Sequence, residues 1–297
     1  RDRNQIGLTL SLAAGSHQLD VGVDVENRSE NHRLRLLVHT DVQADENVSS
    51  QPFDCLHRNR VPELPDLRDD WTEPNNGLVS IQDGSRGMSV FNEGLYEYEH
   101  LQNERGTLAL TLVRATGRIA NDPMCTGQDE VEPAAMWEAP ENQCLRTTSF
   151  RLAVRPGCAT PAELMRKLQA FHAPLLSAFG AADGRKFSGG RACVQDSELN
   201  EFFYREPSPE KVRLPLCESG LALGGDVVFS ALKRAERGRG WVLRFYNPDD
   251  EPAEADVRFG RPVSSLEKAD LREVPEYGQA RPCMPVDPKK MVTLRFE

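Results

Sequence analysis

The sequence has no Cys-x-x-Cys pair, no run of about 18 apolar residues and no basic excess, and each absence removes a class of protein. Its seven cysteines, at 55, 125, 144, 158, 193, 217 and 283, are odd in number and widely dispersed. That pattern fits free, mostly buried thiols in a reducing compartment better than a disulfide framework or a zinc knuckle, so a cytoplasmic location is expected. Without a spanning run, no membrane partner is expected. The first residues, Arg-Asp-Arg-Asn-Gln, contain no signal-peptide core, and with Arg1 in place of an initiator Met the chain is expected to have been cut from something longer. A net charge of −10 argues against nucleic acid, whose phosphates want a basic face. There is no Gly-x-Ser-x-Gly, no Walker loop and no His-Glu-x-x-His. Gly180, Gly184, Gly189 and Gly190 follow no strand and so make no dinucleotide fingerprint.

What is present is alternation. Ile6, Leu8, Leu10 and Leu12 point one way and Gly7, Thr9 and Ser11 the other; after a Gly-containing loop, Leu19, Val21, Val23 and Val25 repeat the pattern. Such a pair reads as an antiparallel hairpin. Further strands are expected at 33–40, 78–81, 88–91, 108–114, 148–154, 227–232, 241–247, 255–259 and 291–296. The stretches 41–76 and 120–143, rich in Pro, Asp, Glu and Asn, read as long loops, and prolines 275, 282, 285 and 288 as an irregular stretch. Thr160-Pro-Ala-Glu163 is a capping box opening a helix. The stripe Leu164, Leu168, Phe171 and Leu175 is core packing, and Pro174 should end or bend the helix. The expected fold is mainly β. The first part of a large antiparallel β-sandwich (a supersandwich) over 1–158 precedes a helix and connector over 159–210, and 211–297 holds C-terminal β-strands or a smaller β-domain.

The richest local chemistry follows the strand Met88–Phe91, where a polar loop carries Asn92, Glu93, Tyr96 and Glu97. An amide, carboxylates and a phenol on one loop suit hydroxyl-rich ligands, since each can donate to or accept from sugar hydroxyls. An ordinary exposed turn has the same look, and Gly94 is most simply the residue that permits a tight turn. His39-Thr-Asp41 has a spacing found in metal sites, but with no second histidine motif it reads as the terminus of a strand. Local chemistry yields no catalytic residue and no metal ligand in this chain.

Read in order, several segments resemble the C-terminal half of glycoside hydrolase family 38, the α-mannosidases. They are Val25–Arg35, Phe53–Arg58, Trp71–Glu73, Asp83-Gly84 with Gly87 and Val90–Tyr98, Leu110–Arg114, Phe150–Leu152, Phe229–Lys233, Val242–Asn247 and Val292–Phe296. The resemblance implies a parent enzyme that hydrolyses α-mannosides with retention, using a carboxylate nucleophile and a divalent metal, usually zinc. It also implies that the metal ligands and nucleophile belong to an N-terminal catalytic barrel and a following helical domain outside this chain, so the chain alone should be inactive and hold no cofactor. In the family the β-domain packs on the barrel and lends a loop to the rim of the sugar pocket. Here the matching residues are Asn92, Glu93, Tyr96 and Glu97 as substrate contacts, with Trp71 and Glu73 supporting the loop. The Asn-x-Gly-Leu-Tyr-Glu-Tyr form resembles bacterial members related to mannosylglycerate hydrolases, whose substrate carries a small acid.

The expected partners are therefore the protein's own N-terminal catalytic domain, a mannoside and, in an oligomer, further copies. Two rivals stand beside this reading. A free-standing carbohydrate-binding module usually shows a flat row of exposed aromatics, whereas aromatics are 7% of this chain and many fall at inward strand positions. A pure assembly domain would show a large exposed apolar patch.

Overall fold

The computed structural model describes residues 3–60, 72–101, 103–120, 136–173 and 219–297. The strands before the helix are β1 (Gln5–Ser11), β2 (Leu19–Glu26), β3 (Arg33–His39), β4 (Glu46–Gln51), β5 (Asp54–Asn59), β6 (Glu73–Pro74), β7 (Leu78–Gln82), β8 (Gly87–Asn92), β9 (Glu97–His100), β10 (Thr107–Arg114), β11 (Arg118–Ala120), β12 (Met136–Glu138) and β13 (Thr147–Pro156). Helix α1 (Pro161–His172) follows. After it come β14 (Leu221–Gly225), β15 (Val228–Arg234), β16 (Trp241–Tyr246), β17 (Ala253–Phe259), β18 (Leu266–Ala269), β19 (Pro275–Gln279), β20 (Cys283–Val286) and β21 (Met291–Phe296).

A seven-stranded sheet, β1-β2-β13-β8-β7-β4-β5, and a four-stranded sheet, β3-β10-β9-β6, form the large sandwich. Their inner faces meet through Val21, Val23, Val25, Val79, Ile81, Val90, Tyr98, Leu108, Leu110 and Leu152. A second, smaller sandwich pairs β14-β17-β20 with β15-β16-β21-β18-β19 around Leu243, Phe245, Val257, Met284 and Leu294. Every pairing described in these sheets is antiparallel, and among the described residues the chain adopts the expected mainly β fold with one α-helix.

Helix α1 starts as the capping box requires: Thr160 Oγ1 accepts from the backbone N–H of Glu163 at 3.2 Å, with Pro161 in the first turn. It ends at His172; Leu175, expected in its stripe, lies outside the described residues. Its buried side, Leu164, Met165, Leu168 and Phe171, covers the outer face of the seven-stranded sheet at Leu78, Phe91 and Ala153, and reaches Val228 and Tyr246 of the small sandwich. Arg166 donates to the carbonyls of Gly225 (2.7 Å) and Val227 (3.1 Å), and Gln169 to that of Phe229 (2.6 Å). The helix is thus a shared strut, and it makes β7 and β8 buried on both faces.

Three loop expectations need correction. The stretch 41–76 is not structureless: β4, β5 and β6 lie in it, and only 61–71 fall outside the described residues. Its strands hid because their inward side chains are small and polar, with Ser49 and Ser50 fully buried. The proline-rich C-terminal stretch holds β19 and β20; Pro275 opens a strand and Pro285 sits on the edge strand β20, where a missing N–H costs no ladder bond. In 120–143, the described part contains β12 and a short 3-10 turn at Pro140–Gln143. The connector expected over 180–210 lies outside the described residues. Among those described, Cys55, Cys144, Cys158 and Cys283 are unpaired, and two of them, Cys158 and Cys283, are exposed where burial was expected. No described helix is long and apolar enough to cross a membrane.

Candidate functional site

The polar turn between β8 and β9 is held by two buried asparagines. Asn92, at the end of β8, accepts from the Leu95 N–H through Oδ1 (3.0 Å) and donates through Nδ2 to Asn75 Oδ1 (3.0 Å). Asn75 in turn donates to the Leu95 carbonyl (2.9 Å) and accepts from the Gly77 N–H (2.9 Å). Asn92 is 0% exposed, so its amide braces the turn from beneath rather than facing outward. Leu95 is buried as the turn's apolar anchor. Gly94 takes a φ of +75°, the left-handed conformation that glycine adopts without steric cost.

This bracing pushes Glu93 and Tyr96 outward. Tyr96 is 68% exposed, and Glu93 is exposed beside it. Together with Asn76, Gly77, Gly94 and His172 they line a hollow of about 470 Å³. His172, the last residue of α1, lies within hydrogen-bond reach of the Asn92 carbonyl (Nε2 to O, 2.9 Å), fixing the helix end to the turn. Glu93 pairs with Arg151 of β13 at 2.5 Å. The hollow therefore offers a carboxylate, a phenol, an amide side chain and an imidazole on one wall, a set that donates to and accepts from hydroxyls.

The structure does not bring all the expected residues together. Glu97 opens β9 and faces a different hollow, of about 380 Å³, lined also by Asn31, His32, Arg33, Thr72, Arg114, Ala115 and Thr116. There it accepts from Thr111 Oγ1 (2.6 Å) and pairs with Arg33 and Arg114. Glu73 lies on β6 opposite Tyr98 of β9, the strand that leaves the turn, and its side chain pairs with Arg58. Trp71 lies outside the described residues. Asn76, His172 and Arg151 were missed by sequence reasoning. Asn75-Asn76-Gly77 carries a turn signal, but Arg151 and His172 arrive from 58 and 80 residues beyond their partners, with no local signature.

His39 and Asp41 are spent on structure: His39 Nδ1 lies 2.8 Å from Thr107 Oγ1, and Asp41 bonds Arg105, which holds its carboxyl below the usual range. No group of three or more His, Cys, Asp or Glu able to hold a metal occurs among the described residues. A third cavity, about 1010 Å³, opens between the sheets of the small sandwich. Its walls are mostly apolar, with Leu223, Phe229, Trp241, Phe259 and Phe296, and Ser219, Arg261 and Glu297 are the polar side chains among the lining residues.

Residues 2–123 match the profile described as "Glycosyl hydrolases family 38 C-terminal domain", and residues 226–294 that of the "Glycosyl hydrolases family 38 C-terminal beta sandwich domain". A protein of Halalkalibacterium halodurans named "Putative mannosylglycerate hydrolase" is 23% identical over 305 residues, an alignment spanning 100% of this chain and 29% of that protein. Among solved structures, an alpha-mannosidase from Enterococcus faecalis V583 superposes with a TM-score of 0.73 at 21% identity, over 98% of this chain and 29% of its own. A protein in the glycosyl hydrolase family 38 from Enterococcus faecalis gives 0.70 at 21% identity, over 98% of this chain and 30% of its own. The chain thus spans less than a third of the length of each of these relatives.

Proposed function

Because the chain belongs to glycosyl hydrolase family 38, with the two C-terminal domains of that family in order, we propose that it is the non-catalytic C-terminal part of a retaining, metal-dependent α-mannosidase. It lends the Glu93–Tyr96 turn to the rim of the sugar pocket and packs against a catalytic part that supplies nucleophile and metal ligands. The observation that carries the rim role is the pairing of an exposed carboxylate and an exposed phenol on a turn whose other side chains are buried. Asn92 takes part by shaping the turn, and Glu97 serves a separate polar hollow. Zinc, or another divalent metal, belongs to the catalytic part in this reading. The name of the H. halodurans relative favours a mannoside that carries a small acid.

Packing against a further part of the protein has its own support. Ile6, Leu8 and Leu10 of β1 stand opposite Val25, Val23 and Val21, on the face that those valines bury in the core. Yet they are 54–58% exposed, because the four-stranded sheet does not reach that far. An uncovered core face of this kind is what a docking partner covers. The same stripe is what a pure assembly domain would show, so that alternative keeps one observation in its favour.

The test compares the purified chain with the complete protein on an aryl α-mannoside, with zinc added to both. Only the complete protein should hydrolyse it, and Tyr96→Ala there should lower kcat/KM by about tenfold, the value of a lost hydroxyl contact. Hydrolysis by the chain alone would overturn the proposal. A free-standing carbohydrate-binding module predicts instead that the chain binds mannose oligosaccharides by itself in a calorimeter.

A further inference from the structure

The carboxylate of Glu93 stands in an unusual electrostatic position. It lies beside the C-terminal end of α1, where the backbone carbonyls present partial negative charge that repels an anion. Arg151 lies between them. Its Nη1 donates to Glu93 Oε1 at 2.5 Å and to the Phe171 carbonyl at 3.1 Å, and its guanidinium carbon sits 4.2 Å from the centre of the Phe171 ring. Phe171 is itself fixed: it is 4% exposed and packs on Phe91, the residue before Asn92, with centroids 6.2 Å apart. One planar cation thus joins the turn, the helix end and the core. A lysine, a point charge without the stacking plane, reproduces only part of this.

The consequence concerns Glu93's second oxygen. Among the described residues none bonds Oε2, while Oε1 is taken by Arg151. A carboxylate anchored through one oxygen keeps the other at a fixed place, where an unanchored side chain would sample many rotamers and be driven off by the helix end. Resting on the reading of this hollow as a sugar rim, we infer that Arg151 is a positioning residue that presents Glu93 Oε2 to a hydroxyl of the bound glycoside. Arg151 acts through Glu93 and through the end of α1, without touching the sugar.

The experiment uses the complete protein and an aryl α-mannoside as probe, with four variants: Glu93→Ala, Arg151→Met, the double variant, and Arg151→Lys. Met keeps an apolar stem over Phe171, and the lysine variant provides a second measurement should Arg151→Met fold poorly. Glu93→Ala and Arg151→Met should each lower kcat/KM by roughly tenfold, expressed mainly as a higher KM, and the double variant should be no worse than Glu93→Ala alone. Arg151→Lys should fall between Arg151→Met and the unaltered protein. Losses that multiply in the double variant, to roughly a hundredfold, would overturn the inference, because a general structural role adds to the loss of Glu93. So would a silent Arg151→Met beside an active Glu93→Ala effect, which leaves the rim reading intact. A silent Glu93→Ala would overturn both.

Discussion

Gly77 shows how tightly single residues bind the turn to the helix. Its φ is +100°, and a Cβ there would lie 2.9 Å from the His172 ring, 3.0 Å from the Asn92 carbonyl and 3.1 Å from Leu168. Gly77→Ala should therefore destabilise by roughly 2 kcal/mol or more, from backbone strain together with the clash, read as a lower urea midpoint. An unchanged midpoint would mean that the helix end does not pack as described. His100 is the residue whose titration should be felt. It is 5% exposed on β9, with neither ring nitrogen bonded to any described residue, and burial lowers its pKa to about 4, assisted by Arg60 and opposed by Asp45. The folded state thus resists a proton that the unfolded chain accepts near pH 6.5. The stability His100 contributes is fully present above pH 6.5 and lost as pH falls toward 4. Denaturation between pH 7.5 and 5 should show this slope, and His100→Leu should flatten it. An identical slope in the variant would assign the effect elsewhere.

At the scale of elements, legibility follows from what the inward side chains are made of. β2, β3 and β13 alternate apolar with polar, because one face meets the core and the other is more open to water, and so they stand out in the sequence; β10 keeps the alternation although both its faces are largely buried. β4 also alternates in space, but its buried positions are Asn47, Ser49 and Ser50 beside Val48. Those polar groups are satisfied internally: Tyr98 donates to Asn47 Oδ1 at 2.6 Å and Arg58 to Ser49 Oγ at 3.1 Å. A code of apolar periodicity cannot see a strand buried through hydrogen bonds. The turn was legible as polar and glycine-bearing, but not which of its polar groups face outward, since Asn92 and Glu93 look alike until their partners at 75 and 151 are placed. Helix α1 was readable from its cap. Thr160→Ala should cost about 1 kcal/mol by leaving the Glu163 N–H without its acceptor. Because α1 ties the turn to both sandwiches, that loss should appear as lowered thermal stability of the whole chain rather than local fraying.

At the scale of the molecule, two sandwiches share one described helix, and a lysine adds a second tie beside the cluster that the helix builds. Lys289, in the turn between β20 and β21 at a φ of +56°, reaches from the small sandwich to β5 of the large one. Its Nζ donates to the carbonyls of Cys55 (2.7 Å) and Pro248 (2.8 Å) and pairs with Asp54 (2.9 Å) and Asp250 (3.3 Å). Burial alone would lower its pKa, yet Asp54 and Asp250 outweigh that and hold it above the ordinary lysine value, so it stays charged throughout the working range. Beside it Phe53 meets Tyr246 edge-on at 5.6 Å, an aromatic contact across the same junction. Lys289→Met keeps the stem but strands two carboxylates and two carbonyls. The lysine is about a third exposed, so water can repair part of that loss and the cost should be about 1–2 kcal/mol rather than that of a fully buried pair. The distinguishing readout is cooperativity: scanning calorimetry should turn one transition into a broadened or split one as the small sandwich loosens from β5, with Trp241 fluorescence changing first. A single sharp transition at an unshifted temperature would show that the apolar cluster around α1 joins the two sandwiches by itself.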